Sequence, residues 1–377
     1  MARRFRIRFR LFILSVALAG ELPMAFLLAA LLRPWVPEPR PIAFGLCALA
    51  FVPFFLRVQR GMGDQAESGW LRPLVFAFYA FWAASLCAGI YYLPFALLAW
   101  AFKLPGTWAV ATALAIGTLL GLLGVTWWRM RPRFSRIDIP IPDLAPALDG
   151  YRIAQLTDLH VGAHTPPERL RAWVDRVNAL DVDLVAVTGD LITSGDAYVH
   201  AAARELGRLR GRDGVGLCLG NHDYFTDAEA FVRALTAEGL DVLRNRGRVI
   251  GQGERRLYLA GVDDTWQRRH DVAQALADRP PELPSILLAH DPVLFPAAAA
   301  LGATLVLSGH THGGQVALPL WPRVFNAARL AYRYTAGLYR QDSSHLYVCR
   351  GAGTTGLPLR VGASAEIAIL TLRRSPP

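Results

Sequence analysis

Long apolar stretches dominate the first third of the 377-residue chain. Four of them follow one another, over residues 11–33, 41–57, 74–102 and 107–128. A helix that crosses a bilayer needs about 20 apolar residues, so residues 1–130 are predicted to form a transmembrane region of about four helices. The second stretch is the weakest candidate, because it is short and contains Pro53. Tryptophans near the ends of the stretches suit the interfacial belt of a membrane.

Arginines around these stretches predict how the region is oriented in the membrane. Five lie in the first ten residues, three surround the second loop and four follow the last stretch. Positive charge concentrates on the cytoplasmic side, so both ends of the region, and the chain beyond it, are expected in the cytoplasm. Two alternatives stay open. In the first, residues 3–19 are a signal peptide that is cleaved, which leaves the C-terminal domain on the same side. In the second, the second stretch does not cross the membrane, which turns the C-terminal domain outward.

The net charge also separates along the chain. It is +10 at pH 7 with histidine neutral, and residues 1–140 hold 15 of the 40 basic residues but 5 of the 30 acidic ones. The remaining residues therefore carry equal numbers of both signs. A nucleic-acid partner is not expected, because binding one requires a basic face on the globular part. The four cysteines form no CxxC pair and are predicted to be small buried side chains.

The character of the sequence changes after the apolar region. Residues 131–150, rich in arginine and then proline, are predicted to form a linker. From Tyr151 onward, short apolar runs alternate with amphipathic segments, and further short apolar runs follow towards the C-terminus. This alternation is typical of βαβ units and predicts an α/β domain over residues 151–373.

Five of the predicted strands end in residues that suit metal ions. The motifs, in chain order, are Asp158-Leu159-His160, Gly189-Asp190, Gly220-Asn221-His222-Asp223, His290-Asp291 and Gly309-His310-Thr311-His312. Ligand sites in α/β sheets lie outside the carboxyl ends of the strands, so these side chains are expected at one edge. Neutral imidazole is the commonest metal ligand among side chains, and the glycines around the last pair allow a bent backbone. Each motif taken alone is equally compatible with incidental loop residues.

Taken together and in order, these motifs resemble the calcineurin-like metallophosphoesterase family. The resemblance covers about residues 150–373 and includes Gly313-Gly314-Gln315 and the turn at residues 351–356. Within the family, the sequence resembles bacterial membrane-bound members and transmembrane metallophosphoesterases in particular. The resemblance implies an αββα sandwich, in which two sheets lie between layers of helices. It also implies a multi-pass protein of the bacterial inner membrane, and the arginines around the apolar stretches predict that its catalytic domain lies in the cytoplasm.

The resemblance further implies two divalent metal ions, for which the mixed nitrogen and oxygen ligands suit Mn, Fe or Zn. The implied ligands are Asp158, His160 and His312 for the first ion, Asn221, His290 and His310 for the second, and Asp190 as the bridge between them. His222 is implied as a catalytic residue that gives a proton to the leaving oxygen or holds a phosphoryl oxygen. Asp223 or Asp158 is expected to fix the tautomer of His222.

The implied activity is hydrolysis of a phosphodiester or pyrophosphate bond by a hydroxide held between the two ions. Residues 317–334, directly after the last motif, combine apolar and aromatic side chains with three arginines, which suits the headgroup boundary of a membrane. Two interpretations of this segment stay open. It forms either a flap that admits a lipid phosphoester or a loop that packs over the sheet. The expected partners are a lipid bilayer and a phosphoester substrate, with lipid-linked substrates among the candidates.

Two other functions stay open. One is a general phosphodiesterase or phosphatase that acts on soluble or protein substrates. The other is a non-catalytic membrane interaction protein, against which the complete set of motifs argues. Glu21 lies in the middle of the first apolar stretch, where a carboxylate costs a few kcal/mol, and either a functional or an incidental role is open.

Several titratable residues fall outside the motifs. Three carboxylates near strand ends are either partners of the ligands or, as we expect, solvated loop residues: Asp263, Asp264 and Asp291. Four histidines match no motif and are expected at the surface or in loops: His164, His200, His270 and His345. None of these residues is predicted to bind metal.

Overall fold

The computed structural model describes residues 2–60, 69–318, 321–322 and 324–375. The chain divides into two compact units, of which the first comprises Met1–Trp128 with Leu357–Val361. The second comprises Arg129–Gly356 with Gly362–Pro377.

The described part of the first unit contains four long helices. They are α1 (Ala2–Leu32), α2 (Pro39–Arg60), α3 (Leu71–Ala101) and α4 (Gly106–Leu123), and a π-helical turn, Gly124–Trp128, follows the last. By length and composition, each is able to cross a membrane. The helices coincide with the four predicted stretches, and α2 continues beyond the predicted residues despite Pro53.

Small residues let α3 and α4 approach each other closely. A Cβ atom at Gly117 would lie 2.5 Å from the carbonyl oxygen of Ala84, and one at Gly121 would lie 2.6 Å from that of Ala80. Such spacing of small residues is typical of helix pairs in membranes, where packing rather than the hydrophobic effect drives association. On α1, Glu21 is 3% exposed, and its Oε1 has no hydrogen-bond partner among the described residues.

The described part of the second unit contains two mixed sheets of six strands each. The first sheet has the spatial order β1 (Arg133–Pro142), β12 (Glu366–Ser375), β2 (Arg152–Leu156), β3 (Leu184–Thr188), β4 (Val215–Cys218) and β5 (Asp241–Val242). Neighbouring strands run parallel, except for the antiparallel pair of β12 and β2.

The second sheet has a parallel centre and antiparallel edges. Its spatial order is β10 (Gly337–Gln341), β11 (Ser344–Val348), β9 (Leu305–Ser308), β8 (Ser285–Leu288), β7 (Leu257–Gly261) and β6 (Arg246–Ile250). The two outer strands, β10 and β6, run antiparallel to their neighbours. The four inner strands run parallel to one another.

Helices cover the outer face of each sheet. Those over the first sheet are α5 (Pro167–Asn178), α6 (Val199–Leu206) and α7 (Ala228–Ala237), and those over the second are α8 (Val272–Leu276) and α9 (Phe295–Ala300). Short 3₁₀ segments lie at Pro146–Leu148, Asp196–Tyr198, Asn221–Phe225, Gly253–Arg255, Pro292–Leu294, His312–Gly314 and Ala327–Leu330. The layer order confirms the predicted αββα sandwich.

The strands read as continuous apolar runs because both of their faces are buried. Along β3, Leu184 faces the other sheet, while the next residue, Val185, packs against the helices. Along β9, Leu305 and Leu307 face inward and Val306 faces the helices over the second sheet. Each strand therefore contributes to two cores, and its polar residues begin where the strand ends.

The prediction of a linker over residues 131–150 is wrong in its central part. Residues Arg133–Pro142 form β1, which pairs in parallel with β12 along its whole length. Ile139 and Ile141 are buried in the core between the sheets. The prolines of this strand are tolerated because β1 lies at the edge of its sheet, where a missing N–H removes no pairing bond.

Candidate metal centre

The carboxyl ends of strands from both sheets meet at one place. The Gln155 amide of β2 donates hydrogen bonds to the Thr188 hydroxyl of β3 and to the Ser308 carbonyl of β9, each 3.0 Å long. The predicted site residues follow directly: Asp158 and His160 after β2, Asp190 after β3, Asn221 and His222 after β4, His290 after β8, and His310 and His312 after β9. The two sheets are thus tied together at the edge where these residues emerge.

The backbone at this edge adopts a conformation that residues other than glycine rarely take. Positive φ values occur at Asp158 (50°), His160 (46°), Asp190 (53°), His310 (68°) and His312 (53°). Each such residue costs about 1–3 kcal/mol and persists only where its surroundings enforce it. Here the Asp158 N–H donates to the Gly189 carbonyl and the His160 N–H donates to the Asp190 carbonyl, both at 3.0 Å. Strain of this kind clusters at functional sites.

Four buried side chains form a first group of possible ligands. In this group, candidate ligand atoms of Asp158, His160, Asp190 and His312 all lie within 4.8 Å of one another. His312 Nε2 lies 3.0 Å from His160 Nε2 and 3.2 Å from Asp158 Oδ1. His160 Nε2 lies 3.5 Å from Asp190 Oδ2. Ring nitrogens and carboxylate oxygens therefore converge on one point.

A second group shares Asp190 with the first. Its members are Asp190, His290 and His310. His290 Nε2 lies 3.3 Å from Asp190 Oδ2 and 3.2 Å from His310 Nδ1. His290 Nδ1 lies 2.8 Å from the Thr188 carbonyl and must donate to it, so a neutral ring presents its lone pair at Nε2. The outer nitrogen of His310 contacts the Tyr332 hydroxyl at 2.9 Å, which leaves Nδ1 for the centre.

Asn221 provides a test of whether metal ions fit these groups. Its side chain is 4% exposed, and its Oδ1 has no hydrogen-bond partner within the part of the chain that the structure describes. An unsatisfied buried acceptor costs about 1–3 kcal/mol, and coordination to a cation would remove that cost. The Nε2 atoms of His160 and His312 also favour a bound cation. Two nitrogen lone pairs 3.0 Å apart repel each other unless a proton or a metal ion lies between them. The donors present therefore fit two divalent ions.

The electrostatics of the centre favour positive charge. Burial raises the pKa of the Asp158 and Asp190 carboxyls, but neighbouring histidines outweigh it and hold both values below the usual range. Burial lowers the pKa of His160. Burial also lowers the pKa of His290, but Asp190 and Asp158 outweigh that effect and raise it to about 10. The two carboxylates thus stay ionised and attract a cation to the place between the rings.

His222 lies beside the two groups, and its ring contacts that of His160 at a centroid distance of 4.6 Å. Its backbone N–H donates to Asp190 Oδ1 at 2.9 Å. Its Nδ1 lies 2.8 Å from the carbonyl oxygen of Thr193, while Nε2 lies 3.2 Å from the hydroxyl of Thr355. The Thr193 carbonyl therefore fixes the tautomer.

The predicted role of Asp223 or Asp158 in fixing that tautomer is wrong. The Asp223 carboxylate accepts hydrogen bonds from the backbone N–H groups of Leu191, Ile192 and Gly220. Asp223 therefore stabilises the backbone turns after β3 and β4 and does not orient the His222 ring. Burial, with a contribution from Asp190, raises the pKa of Asp223 to about 7.

Two expectations for residues outside the motifs are also wrong. Asp263, Asp264 and Asp291 are buried rather than solvated. Asp263 accepts hydrogen bonds from Tyr224 and Arg244, and Asp291 accepts one from Thr265. His345 is buried in β11, although His200 and His270 are exposed as expected. Tyr332 and Thr355 contact site histidines, but the sequence does not predict them as site residues, because a single hydroxyl belongs to no recognisable motif.

Comparisons with known proteins agree with this geometry. A family model described as calcineurin-like phosphoesterase matches residues 151–314. The chain is 34% identical over 279 residues to a "Transmembrane protein with metallophosphoesterase domain" of Danio rerio, covering 70% of this chain and 62% of that protein. It is 35% identical over 233 residues to the metallophosphoesterase YkuE of Bacillus subtilis, covering 60% of this chain and 80% of that protein. The chain belongs to the calcineurin-like metallophosphoesterase family.

A more distant relative carries a specific activity in its name. It is the "UDP-2,3-diacylglucosamine pyrophosphatase LpxG" of Chlamydia trachomatis, 26% identical over 305 residues, which cover 65% of this chain and 92% of that protein. The chain matches less than two thirds of the length of the transmembrane relatives, 62% for Danio rerio and 63% for Bos taurus. The four candidate spans and these transmembrane relatives indicate a membrane protein.

Proposed function

We propose that the chain is a membrane-bound phosphohydrolase that uses two divalent ions to cleave a phosphodiester or pyrophosphate bond of an amphiphilic substrate. The observation that carries this proposal is the shared carboxylate of Asp190. Its Oδ2 lies 3.5 Å from His160 Nε2 in one group and 3.3 Å from His290 Nε2 in the other. A carboxylate between two clusters of histidines is the arrangement that a dinuclear centre requires, because it offsets the repulsion of two cations.

The side chains divide the work between binding and proton transfer. The proposed ligands are Asp158, His160, Asp190, Asn221, His290, His310 and His312. Two divalent ions in this centre would supply an activated water and stabilise the charge that develops on the phosphoryl oxygens. His222 is the proposed catalytic acid, because Thr193 holds its Nδ1 and leaves Nε2 to serve the leaving oxygen.

Exposed apolar rings beside the centre support an amphiphilic substrate. Phe225 is 49% exposed, and its ring centroid lies 4.9 Å from that of His222. Trp266 is 59% exposed, and its ring centroid lies 5.9 Å from that of His310. Exposed aromatic rings therefore lie beside His222 and beside His310, and such apolar surface suits a phosphoester that carries a hydrocarbon chain.

The segment after the last motif supports the same substrate class. Of the predicted flap at residues 317–334, Trp321, Val324, Phe325 and Leu330 are exposed, and Leu330 is 93% exposed. Leu320 and Arg323 lie outside the described residues. Exposed side chains favour the flap over the alternative of a loop that packs on the sheet. The relative named as a UDP-2,3-diacylglucosamine pyrophosphatase provides a precedent for a lipid-linked pyrophosphate.

The test is metal analysis combined with a substrate panel on the full chain purified in detergent. The panel contains bis(p-nitrophenyl) phosphate, a diacylated sugar nucleotide and a phosphopeptide. We expect about two transition-metal ions per chain and faster hydrolysis of the acylated pyrophosphate than of the soluble compounds. Active protein without transition metal would contradict the proposed centre. Faster hydrolysis of the phosphopeptide would contradict the substrate class.

The proposed topology keeps residues 1–130 as the membrane region and extends the catalytic domain of residues 151–373 to include β1. This domain is proposed to lie in the cytoplasm of a bacterial cell. This orientation is supported by the arginines at both ends of the four candidate spans. A reporter enzyme fused after residue 377 tests the orientation, because its activity differs between the cytoplasm and the periplasm. A periplasmic signal would contradict this orientation.

A further inference from the structure

The turn at residues 351–356 runs against the first metal loop. The Ala352 N–H donates to the Thr157 carbonyl at 3.1 Å, and the Gly353 N–H donates to the Asp158 carbonyl at 2.7 Å. A Cβ atom at Gly353 would lie 2.2 Å from the Leu159 carbonyl oxygen, so a larger residue would push the segments apart. Glycine here allows the close approach that brings the following residues to the metal centre.

Gln315 fixes the same turn from the other side. Its Nε2 donates to the Thr355 carbonyl at 2.8 Å, and its Oε1 accepts from the Thr355 N–H at 2.9 Å. Gln315 follows His312 by three residues and has a positive φ of 54°. The last metal loop therefore holds the backbone of Thr355 through a two-point contact, and this contact does not depend on the Thr355 side chain.

The Thr355 hydroxyl faces the catalytic histidine. Its Oγ1 lies 3.2 Å from His222 Nε2, on the side of the ring opposite the Thr193 carbonyl. A carbonyl accepts only, so His222 Nδ1 carries a proton. A hydroxyl both donates and accepts, so Thr355 holds Nε2 in either state of the ring: it donates to the lone pair of the neutral ring, and it accepts the Nε2–H of the protonated ring, which is the form that gives a proton to the leaving oxygen. Thr193 is itself anchored, because its hydroxyl donates to the His160 carbonyl at 3.1 Å. Both ring nitrogens are thus held in place.

We propose that Thr355 is a positioning residue for His222, and that Gln315 holds Thr355 in place for this purpose. The inference rests on the proposed function, since it concerns the proton that His222 gives to the leaving oxygen. The hydroxyl keeps Nε2 directed at the place where the leaving oxygen arrives, and it yields that place to substrate. Ring orientation matters because small displacements of a reacting group cost large factors in rate.

The test compares two substitutions at position 355 in the full-length, metal-loaded protein, with bis(p-nitrophenyl) phosphate as substrate. Thr355→Val keeps the shape and the contact with Gln315 but removes the hydroxyl, so we expect kcat to fall about 10- to 100-fold with KM unchanged. Thr355→Ser restores the hydroxyl and should retain kcat within about threefold. Thr354→Val, a change in the neighbouring buried threonine, is the matched control and should match wild type.

A double-mutant cycle separates positioning from a merely structural role. In the His222→Ala background, Thr355→Val should cause no further loss, because the ring through which it acts is gone. Unchanged kcat in Thr355→Val, loss of metal from that variant, or additive losses in the double variant would each overturn the proposal.

A crystal structure of the metal-loaded Thr355→Val protein adds a readout that is independent of activity. We expect both metals to remain and the His222 ring to leave the orientation set by Thr193. An unmoved ring would overturn the proposal. If wild type hydrolyses no phosphoester at all, the proposed function fails, while ring orientation still tests the role of Thr355.

Discussion

At the scale of single residues, Asp190 connects the two halves of the centre. Its Oδ2 faces both groups of histidines, and its Oδ1 accepts the backbone N–H of His222. One carboxylate therefore holds the proposed ligands and the adjacent loop that carries His222 together. Its removal is expected to disturb both metal sites, whereas loss of an outer ligand should disturb one.

We expect Asp190→Asn to lose bound metal and at least about 10³-fold of kcat, because an amide cannot supply the negative charge that offsets two cations. Elemental analysis and hydrolysis of bis(p-nitrophenyl) phosphate measure the two effects. Asp181→Asn, at another aspartate with positive φ whose side chain is exposed, is the control and should behave as wild type. Full metal content with normal turnover in Asp190→Asn would show that the carboxylate is not a bridge.

His222→Ala separates catalysis from metal binding. The ring lies beside both groups but contributes no atom to either, so the variant should keep its metal and lose most of its turnover, by about 10²- to 10⁴-fold. His270→Ala changes an exposed histidine and serves as the control. Metal loss in His222→Ala, seen by elemental analysis, would contradict the assignment of this residue as an acid rather than a ligand.

The sequence predicts which side chains gather at the edge of the sheets better than it predicts the groups that support them. The motifs proposed to bind metal are visible because carboxylates and imidazoles directly follow apolar runs, such as Asp158 after β2 and His310 after β9. The backbone carbonyl of Thr193, which holds His222, has no side-chain signature at all. Asp223 reads as a partner of its neighbour His222, yet the turn directs its carboxylate to backbone N–H groups.

At the scale of elements, strands were predictable where both faces are buried and less so at the sheet edge. β3 is a plain apolar run, whereas β1 alternates exposed and buried positions and contains prolines, which resemble a linker. Only the pairing with β12 distinguishes an edge strand from a linker, and this pairing joins residues more than 200 positions apart. No local pattern encodes such a contact.

The role of β1 leads to a stability prediction. Ile139→Ala should lower the free energy of unfolding by about 2–5 kcal/mol, because the side chain is fully buried between the sheets. Arg136→Ala, at an exposed position on the same strand, should have little effect. Thermal unfolding of the two variants, followed by the fluorescence of the purified chain, measures the difference. Equal unfolding temperatures would mean that residues 133–142 act as a linker after all.

The loops that carry apolar rings lead to a specificity prediction. Trp266→Ala should raise KM for an acylated pyrophosphate by about tenfold, since it removes apolar area beside the centre, and should leave KM for bis(p-nitrophenyl) phosphate unchanged. Val249→Ala, at an exposed apolar residue of β6, is the control. If kcat/KM fell equally for both substrates, Trp266 would support the position of His310 and would not bind the substrate.

At the scale of the whole molecule, stability of the second unit is expected to depend on the metal ions. Without them, three kinds of buried polar group lack compensation at the edge that joins both sheets: the carboxylates, the facing ring nitrogens, and the Asn221 Oδ1, which has no hydrogen-bond partner among the described residues. Each ion present at 100 times its dissociation constant would stabilise the folded state by about 2.7 kcal/mol. Treatment with a chelator should therefore abolish hydrolysis and lower the unfolding temperature together, and added Mn, Fe or Zn should restore both.

Asp190→Asn supplies the control, because a protein that no longer binds metal should show no such shift on chelation. An unfolding temperature that falls equally in wild type and Asp190→Asn would mean that the chelator acts elsewhere in the chain.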